Sequence, residues 1–381
     1  MPKRKHLLAV ARWPLGGIRT YMRYVYGRIG DDWEITIFAA DTQETDALRI
    51  DAQAIGAELI VAKDSIVSFL GSIVRILARG HYDLIQSHGF ISAVFVCIAN
   101  YLFHLPHVLT VHGILEGRLL QGPLGKLKFM AVKRTVLAVD AVYGVSEDIL
   151  EHLRNLIPDL RKSEGMQVAI LNGIETKMFL NQEEAPNKLR SRYQISEITF
   201  LFGFLGRFMP QKGFEKIIEA LVLLKNNNMV SKYNYRVLAV GSGDYKDWYI
   251  QLAWEYGVAE KIIFIPFQRD MVEVYQALDA VIMPSKWEAC PLQPMEALVS
   301  GLPLITSDCI GLREVVRDTP ALIVSGGKPE GLAQNMERLL KKNNPEVFEA
   351  YRCIASRRFN IAHTVGKLRM FFDYIITQSK H

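Results

Sequence analysis

Two glutamates of this sequence stand in the segment Ser285-Lys-Trp-Glu288-Ala-Cys-Pro-Leu-Gln-Pro-Met-Glu296. An ionised carboxylate only accepts hydrogen bonds, so it suits a ligand that carries several hydroxyl groups. The segment follows an apolar run, residues 280–283, and Pro291 suits the first turn of a helix, where its missing N–H needs no partner. Glu288 should then lie just before the helix and Glu296 about one and a half turns inside it. Two carboxylates so placed could bind both ends of one hydroxylated ligand, although an exposed glutamate and a helix-face glutamate would produce the same pattern.

A second segment, Gly206-Arg207-Phe-Met-Pro-Gln-Lys212-Gly213, combines glycines with two basic residues. It separates a predicted strand at 198–205 from a predicted helix at 214–225. The start of a helix presents free N–H groups and the positive end of the helix dipole. Arg207 can bind two phosphate oxygens at once, and Lys212 adds a compact charge. This pattern predicts a phosphate site, with a plain strand–helix turn and two solvated basic residues as the alternative.

The N-terminal half carries glycines and histidines where its predicted strands end. Trp13-Pro-Leu-Gly16-Gly17 follows the first strand, and the glycine pair could let backbone N–H groups approach an anionic ligand; a tight turn is the alternative. Ser87-His88-Gly89 and Thr110-Val-His112-Gly113 each end a predicted strand. We favour a functional role for His112 and a structural one for His88.

The elements that must position these residues alternate between short apolar runs and helix-length amphipathic segments. Strands are predicted at residues 6–11, 33–39, 58–61, 83–86, 107–111, 138–145, 198–205, 235–240, 261–265, 280–283, 302–306 and 321–324. This alternation is typical of α/β proteins with parallel sheets. We predict an N-terminal domain at 1–180, a C-terminal domain at 181–364, and a terminal helix at 365–381 that packs back on the first domain. Ligands bind beyond the carboxyl ends of parallel strands, so the site is expected in a cleft between two facing sheets.

Length, charge and cysteine content narrow the class of protein. A chain of 381 residues exceeds what one core usually supports, and a net charge of +5 permits anionic partners without demanding nucleic acid. The four cysteines form no C-x-x-C pair, which argues against a zinc site or a disulfide framework and favours the cytoplasm. Residues 91–111 carry no formal charge, but Asn100, Pro106 and two histidines interrupt them. A buried helix followed by a buried strand is therefore predicted there instead of a membrane span.

Taken together, these motifs resemble glycosyltransferase family four, the group 1 retaining glycosyltransferases. Besides the segments above, the resemblance rests on Gly301-Leu-Pro303-Leu-Ile-Thr-Ser-Asp308, Val145-Ser146 and Leu171-Asn172-Gly173-Ile174, which occur in the family's order and span most of the chain. The resemblance implies the GT-B fold, two Rossmann-like doubly wound parallel-sheet domains facing across a cleft, in which domain 1–180 binds the acceptor and domain 181–364 binds the nucleotide-sugar. It also implies transfer of a hexose-type sugar from a nucleotide-diphosphate donor with retention of anomeric configuration and without a side-chain nucleophile.

The resemblance implies a role for each site residue. Arg207 and Lys212 would neutralise the diphosphate, Glu296 would hold the ribose, Glu288 would bind the donor sugar, and His112 would position that sugar. The catalytic residues are thus expected to be His112, Glu288, Arg207 and Lys212. The further donor-binding positions are expected to be Gly16, Gly17, Gly206, Gln268, Arg269, Leu292, Gln293 and Glu296, with Gln268 and Arg269 near the base.

The sequence departs from the family where Ala289-Cys290-Pro291 replaces a frequent Gly-Phe-Gly after the first glutamate. Proline removes one backbone N–H that could bind phosphate. Leu292 and Gln293 could still supply backbone donors there.

No metal and no cofactor are expected. The sequence contains no D-x-D motif of the kind that holds Mn²⁺ or Mg²⁺ in metal-dependent transferases. Positive side chains and a helix terminus would take the place of the metal charge.

The expected partners are a nucleotide-sugar, a glycan or polyprenyl-linked acceptor and an anionic membrane surface, but no nucleic acid. UDP is favoured as the donor nucleotide and GDP-mannose comes next, in polysaccharide, lipopolysaccharide or other glycoconjugate synthesis. Between Glu116 and Asp140 there is no acidic residue, whereas basic residues occur there among apolar ones: Arg118, Lys126, Lys128, Lys133 and Arg134. If residues 124–138 are helical, they could rest on acidic lipids at the inner face of the cell membrane, although a solvated helix face fits equally well.

A dehydrogenase is the first rival function, and two others remain as alternatives. A dehydrogenase would require G-x-G-x-x-G, but Lys246 stands where the third glycine would follow Gly241-Ser-Gly243. A sugar-nucleotide epimerase and a catalytically silent sugar-nucleotide-binding subunit could both use the same fold.

Overall fold

The computed structural model describes residues 4–14, 16–115, 122, 124–180, 188–227, 229–230, 232–342 and 345–378. The chain forms two compact units. Unit 1 extends to Gly173 and resumes at Ile361, and unit 2 spans Ile174–Asn360. The chain passes between them where Ile174 pairs with Asn360 in an isolated parallel bridge. The boundaries predicted at 180/181 and 364/365 therefore lie a few residues beyond those of the structure.

Unit 1 is built on a seven-stranded parallel sheet. Its strands are β1 (Lys5–Ala11), β2 (Trp33–Ala40), β3 (Glu58–Ala62), β4 (Leu84–His88), β5 (His107–Val111), β6 (Ala141–Gly144) and β7 (Met166–Ala169). They are ordered β3-β2-β1-β4-β5-β6-β7. The connecting helices are α1 (Gly17–Tyr26), α2 (Thr45–Ala54), α3 (Ile66–Arg79), α4 (Phe90–Asn100), α5 (Gly125–Ala138) and α6 (Glu147–Leu156).

The core of unit 1 explains why short apolar runs become central strands. Leu8 and Val10 of β1 are fully buried, as expected for a parallel strand covered on both faces by helices. Phe38 of β2 stacks on Phe69 of α3 with ring centroids 4.6 Å apart, and Phe69 meets Phe95 of α4 edge to face. These rings attach the helices of this face to the sheet.

Unit 2 repeats the architecture with six parallel strands. They are β8 (Phe200–Leu205), β9 (Tyr235–Val240), β10 (Ile262–Ile265), β11 (Ala280–Met283), β12 (Leu304–Ser307) and β13 (Leu322–Val324), ordered β10-β9-β8-β11-β12-β13. The helices are α7 (Thr176–Leu180), α8 (Lys188–Arg192), α9 (Phe214–Lys225), α10 (Lys246–Glu255), α11 (Met271–Ala277), α12 (Gln293–Val299), α13 (Leu312–Val316), α14 (Pro329–Lys341) and α15 (Pro345–Arg358).

An aromatic cluster lies directly beneath the basic loop of unit 2. Phe204, Phe208 and Phe214 are buried, and the rings of Phe208 and Phe214 are 5.5 Å apart. Tyr249 of α10 packs on Phe214 at 5.2 Å. Since Phe208 and Phe214 flank the segment 209–213, their burial holds both ends of that loop against the sheet.

The terminal helix α16 (Ile361–Gln378) belongs to unit 1. Lys5 of β1 forms an ion pair with Asp373 at 2.6 Å, and Arg369 forms a second ion pair with Asp32 at 2.8 Å. Phe372 packs on Trp33, with ring centroids 5.9 Å apart. The chain therefore passes through unit 2 and then returns to unit 1, which α16 completes.

The observed elements follow the predicted doubly wound α/β class, with one difference that matters. Strand β7 was absent from the prediction because it is short and only partly buried, so its apolar pattern is weak. Residues 91–111 divide into helix α4, from its second residue on, and strand β5, as predicted. In the part of the chain that the structure describes, no helix is both long enough and apolar enough to span a bilayer.

Candidate active site

The order of strands in unit 2 reverses between β8 and β11. Ligands of open parallel sheets bind at such a switch point, beyond the carboxyl ends of the strands. The loop after β8 and the loop after β11 are joined there by two hydrogen bonds. Lys286 donates its backbone N–H to the carbonyl of Gln211, and Gln211 donates its amide to the carbonyl of Trp287, both at 2.8 Å. The two predicted motifs therefore form one structural feature.

Lys212 and Glu288 meet in this feature. Nζ of Lys212 lies 2.6 Å from Oε1 of Glu288, and Ser285 donates its hydroxyl to the same oxygen at 2.7 Å. The side chains of Lys212 and Glu288 are only 14% and 8% exposed, so solvent screens their attraction weakly. The carboxylate is thus held through one oxygen, and Oε2 makes no hydrogen bond to the described residues.

Arg207 follows the end of β8 and is exposed. Within the described ranges no carboxylate forms an ion pair with it, in contrast to Lys212. Gly206 before it has φ +147°, and Gly213 at the end of the loop has φ +70°. A Cβ on Gly213 would overlap the carbonyl oxygen of Pro284, so glycine is required there by the protein itself. The packing of unit 2 itself therefore determines the conformation of this loop, in which Arg207 is exposed to solvent.

Glu296 is buried on α12. Tyr275 of α11 donates its hydroxyl to Oε2 of Glu296 at 2.8 Å and also contacts the carbonyl of Gln293 at 3.2 Å. The helix begins at Gln293 with Pro294 in its first turn, so Pro291 lies before it. The prediction that Glu296 lies about one and a half turns inside the helix was wrong, because this glutamate belongs to the first turn.

Leu292 and Gln293 are half-buried where α12 begins, as expected for residues next to both glutamates. Gln268 and Arg269 follow β10. This strand lies at the edge of the sheet, and β9 separates it from β8. The amide of Gln268 donates to the carbonyl of Pro266 at 2.9 Å. The structure thus brings Lys212 and Glu288 together. Gln268 and Arg269 lie beyond the carboxyl end of β10, two strands away from β8 in the same sheet.

The switch point of unit 1 lies between β1 and β4. Gly16 and Gly17 follow β1, and Gly17 is the first residue of α1. Among the described residues, no side chain caps this helix, and a Cβ on either glycine would meet no atom within 4 Å. The φ of +53° favours glycine at position 16, but no described protein atom requires glycine at position 17.

His88 and His112 stack on each other at the same edge of unit 1. Their ring centroids are 5.0 Å apart, and Nδ1 of His88 lies 2.8 Å from Nε2 of His112. Burial lowers the pKa of His112 to about 3. Burial, followed by the neighbouring His112, lowers the pKa of His88 well below its usual value. Both rings are therefore neutral near pH 7.

Sequence reasoning missed the polar residues that hold these histidines. Tyr26 contacts Nε2 of His88 at 2.6 Å and donates its hydroxyl to Gln86 at 2.9 Å. Gln86 donates in turn to Tyr21 and to Thr110. A signal was present, because a glutamine inside the apolar run of a buried strand must find hydrogen-bond partners. In unit 2 the sequence likewise gave no sign of Tyr275.

No group of three or more histidines, cysteines, aspartates or glutamates among the described residues is arranged to hold a metal ion. All four cysteines are free thiols.

Comparison with known proteins identifies the class to which this arrangement belongs. The family described as Glycosyltransferase Family 4 matches residues 15–176, and that described as Glycosyl transferases group 1 matches residues 186–352. The two matches together span most of the chain, one in each unit. The protein therefore belongs to the family-four, group 1 glycosyltransferases, which confirms the predicted family.

Individual relatives are distant. The chain is 25% identical over 274 residues to the uncharacterized glycosyltransferase MJ1607 of Methanocaldococcus jannaschii, which covers 70% of this chain and 68% of that protein. It is 26% identical over 292 residues to the D-inositol 3-phosphate glycosyltransferase of Salinispora tropica, which covers 72% of this chain and 60% of that protein. The chain thus spans less than two thirds of the length of this second relative.

Solved structures share the fold. Anabaena HepE in complex with UDP-glucose matches with a TM-score of 0.81 at 17% identity, over 97% of this chain and 99% of that one. WaaG, a glycosyltransferase involved in lipopolysaccharide biosynthesis, matches with a TM-score of 0.71 at 16% identity, over 96% and 99%. At such identities the likeness shows the fold alone, and it confirms the GT-B class with two Rossmann-like domains.

Proposed function

We propose that this glycosyltransferase transfers a hexose-type sugar from a nucleotide-diphosphate donor with retention of anomeric configuration and without a metal ion. The observation that carries the proposal is the Lys212–Glu288 ion pair at the switch point of unit 2, with Arg207 exposed in the same loop as Lys212. It combines two cations with a carboxylate that keeps one oxygen available. A diphosphate linked to a polyol has the complementary chemistry.

Each polar group of unit 2 then has a distinct role. Arg207 binds the diphosphate through two N–H groups, and Lys212 can donate to a phosphate oxygen while it stays bound to Glu288, because an ammonium has three donors. Glu288 accepts from sugar hydroxyls through Oε2, and Glu296 accepts from the ribose. The backbone at Leu292 and Gln293 contributes N–H groups at the start of α12. Gln268 and Arg269, at the edge of the sheet, are proposed to lie near the base.

Unit 1 contributes two kinds of contact. The uncapped first turn of α1, at Gly16 and Gly17, offers N–H groups to an anionic oxygen. His112 is neutral near pH 7, so it binds a hydroxyl and does not serve as an acid.

Retention follows if the acceptor attacks the face from which the nucleotide departs. The bond between the anomeric carbon and the diphosphate oxygen breaks, and the acceptor oxygen forms the new bond. The acceptor proton passes to the departing phosphate, whose charge Arg207 and Lys212 stabilise. This route requires no side-chain nucleophile.

The donor proposal is tested by thermal shift with UDP, GDP and ADP, each with and without EDTA. We expect UDP to raise the melting temperature most, with GDP next, because a ligand at one hundred times its Kd stabilises the native state by about 2.7 kcal/mol. Arg207→Ala should remove most of this shift. Arg236→Ala, which truncates an exposed arginine on β9, is the matched control and should retain it. Equal shifts in both variants, or loss of the shift with EDTA, would contradict the proposal.

The reaction is tested with UDP-sugars and GDP-mannose. The first anomer released on slow hydrolysis, observed by NMR before mutarotation, should have the configuration of the donor. An inverted product would exclude retention. Release of an epimerised donor would instead identify an epimerase, and binding without transfer or hydrolysis would identify a silent subunit.

We further propose that the acceptor is a glycan or a polyprenyl-linked glycan at an anionic membrane surface. Helix α5 presents Leu127 and Met130 to solvent, 62% and 49% exposed, on a segment that also carries the exposed Lys126 and Lys128. Lys133 is partly neutralised by Asp159, and Arg118 lies outside the described residues. Co-sedimentation should show binding to vesicles with acidic lipids and none to neutral vesicles, whereas equal absence of binding would contradict the proposal.

A further inference from the structure

A chain of buried hydrogen bonds leads from the middle of β4 in unit 1 to His112. Gln86 is fully buried and has three partners: its amide nitrogen lies 3.2 Å from Tyr21 and 2.8 Å from Thr110, and its oxygen lies 2.9 Å from the hydroxyl of Tyr26. The chain continues from Tyr26 to His88 and from His88 to His112. Each hydrogen bond of this chain contains a single hydrogen. The donor of one bond therefore determines which atom is the donor of the next.

The orientation of Gln86 defines the direction of the chain. As it stands, both N–H donors of the amide are used, one by Tyr21 and one by Thr110, and the oxygen accepts from Tyr26. Rotation of the amide by half a turn would leave one N–H of a fully buried group without an acceptor. An unsatisfied buried donor costs about 1–3 kcal/mol, so the first orientation is the stable one.

The proton on each following atom is then determined. Tyr26 uses its only hydrogen for Gln86, so the contact of 2.6 Å with His88 requires the hydrogen on Nε2 of the histidine. Since His88 is neutral, its Nδ1 carries a lone pair. The contact of 2.8 Å with His112 therefore requires the hydrogen on Nε2 of His112.

We propose that Gln86, Tyr26 and His88 are positioning residues that hold His112 as its Nε2–H tautomer, so that Nδ1 is a hydrogen-bond acceptor for a ligand hydroxyl. The chain acts through the direction of its bonds, and none of the three residues needs to touch the ligand. Only the hydroxyl clause rests on the proposed function, since the tautomer is a property of the free protein.

The tautomer is measured directly by long-range ¹H–¹⁵N correlation NMR on protein labelled with ¹⁵N-histidine and free of ligand. A ring nitrogen with a lone pair and one with a hydrogen resonate in separate regions. Variants His112→Gln and His88→Gln assign the signals by their disappearance. We expect Nε2–H and a bare Nδ1 on both His88 and His112, and a bare Nε2 on His112 would overturn the proposal.

Two tyrosine variants separate this chain from general packing. Tyr26→Phe removes the acceptor of His88 Nε2–H, so His88 should move its hydrogen to Nδ1 and His112 should shift toward the Nδ1–H form. Tyr143→Phe is the matched control, because it deletes a buried hydroxyl of the same unit that donates to the carbonyl of Ile170 and is not a link between Gln86 and His112. Its histidine spectrum should stay that of the wild type. Equal spectral changes in both variants would overturn the proposal.

Binding of a donor tests the hydroxyl clause. Tyr26→Phe should weaken the sugar nucleotide about 3- to 10-fold and leave the free nucleoside diphosphate unchanged, because one hydrogen bond to a hydroxyl is lost. If the tautomer changes but this affinity does not, the hydroxyl clause is overturned. If the wild type binds no nucleotide at all, the proposed function fails while the tautomer assignment stands.

Discussion

Lys212 and Glu288 are 76 positions apart in the sequence, yet they form a short ion pair in the free protein. Taking two charges largely out of water costs about as much as their attraction returns, so a pair of this kind is weak evidence for stability. The ammonium of Lys212 has further N–H donors, and the carboxylate of Glu288 has a second oxygen. Both groups could therefore bind a ligand without leaving the ion pair. In the proposed function, each member holds the other in place until a phosphate and a hydroxyl bind.

Glu288→Ala should abolish transfer, and it should also destabilise unit 2 by about 3 kcal/mol, because Lys212 is left nearly buried without a counter-charge. Replacing both partners, Lys212→Met with Glu288→Ala, should recover most of this stability and no activity. Denaturant unfolding and transfer assays measure the two effects separately.

The control for that experiment is an exposed ion pair of the same unit. Glu337 and Lys341 of α14 have side chains 23% and 44% exposed, so Glu337→Ala should change the unfolding free energy by less than about 1 kcal/mol. Near-normal turnover of Glu288→Ala would remove this residue from the active site.

At the scale of a single element, we propose that the first turn of helix α1 is shaped for a ligand instead of for the fold. Its first residue, Gly17, has open space where a side chain would project, and a helix gains no stability from glycine. If stability alone determined the residue at position 17, a residue other than glycine would be favoured there. The proposed function supplies a different reason for the glycine, which is close approach of the nucleotide donor to the first turn.

Gly17→Ala should therefore leave the melting temperature unchanged or slightly raised, and it should weaken binding of the nucleotide donor about tenfold or more, because the methyl group meets the ligand. Gly71→Ala is the matched control: Gly71 is an exposed helical glycine of α3, also with open space around its Cβ position. Calorimetric titration and melting curves give both quantities. Equal donor affinity in the two variants would remove Gly17 from the ligand site.

Histidines are distributed unequally over the whole molecule. All nine lie outside residues 174–360, so unit 2 contains none. Burial lowers the pKa values of His107 and His112 to about 3, and that of His88 well below its usual value. In the unfolded chain each would titrate near pH 6.5. The unfolded state thus binds more protons between these two values, and the stability of unit 1 must fall as the pH drops through this window.

Lowering the pH from 7 to 5 should destabilise unit 1 by roughly 2 kcal/mol for each of these histidines, while unit 2 changes little. The window stays above the range in which most carboxylates titrate. Hydrogen exchange, expressed as protection factors that correct each amide for its intrinsic rate, resolves the two units. Protection lost equally in both units would contradict this assignment. A His107→Gln variant should show a shallower dependence in unit 1.

Much of this protein could be predicted from local patterns. Apolar runs such as residues 235–240 and 280–283 became strands at the same limits, and the helix at 214–225 began and ended where its periodicity did. The helix after Glu288 was misplaced by two residues, because Pro291 and Pro294 are both compatible with a first turn and only packing selects one. The short edge strand β7 carried too little apolar pattern to be recognised.

The sequence by itself determined the class of the protein: two parallel α/β domains, and the residue types from which an anion and polyol site is made. It could do so because burial periodicity and the chemistry of a side chain are local properties. Which groups meet was decided only by the tertiary structure, which pairs Lys212 with Glu288 and links Gln86 through Tyr26 and His88 to His112. The direction of a hydrogen bond and the charge state of a buried group depend on neighbours distant along the chain, and folding alone brings those neighbours together.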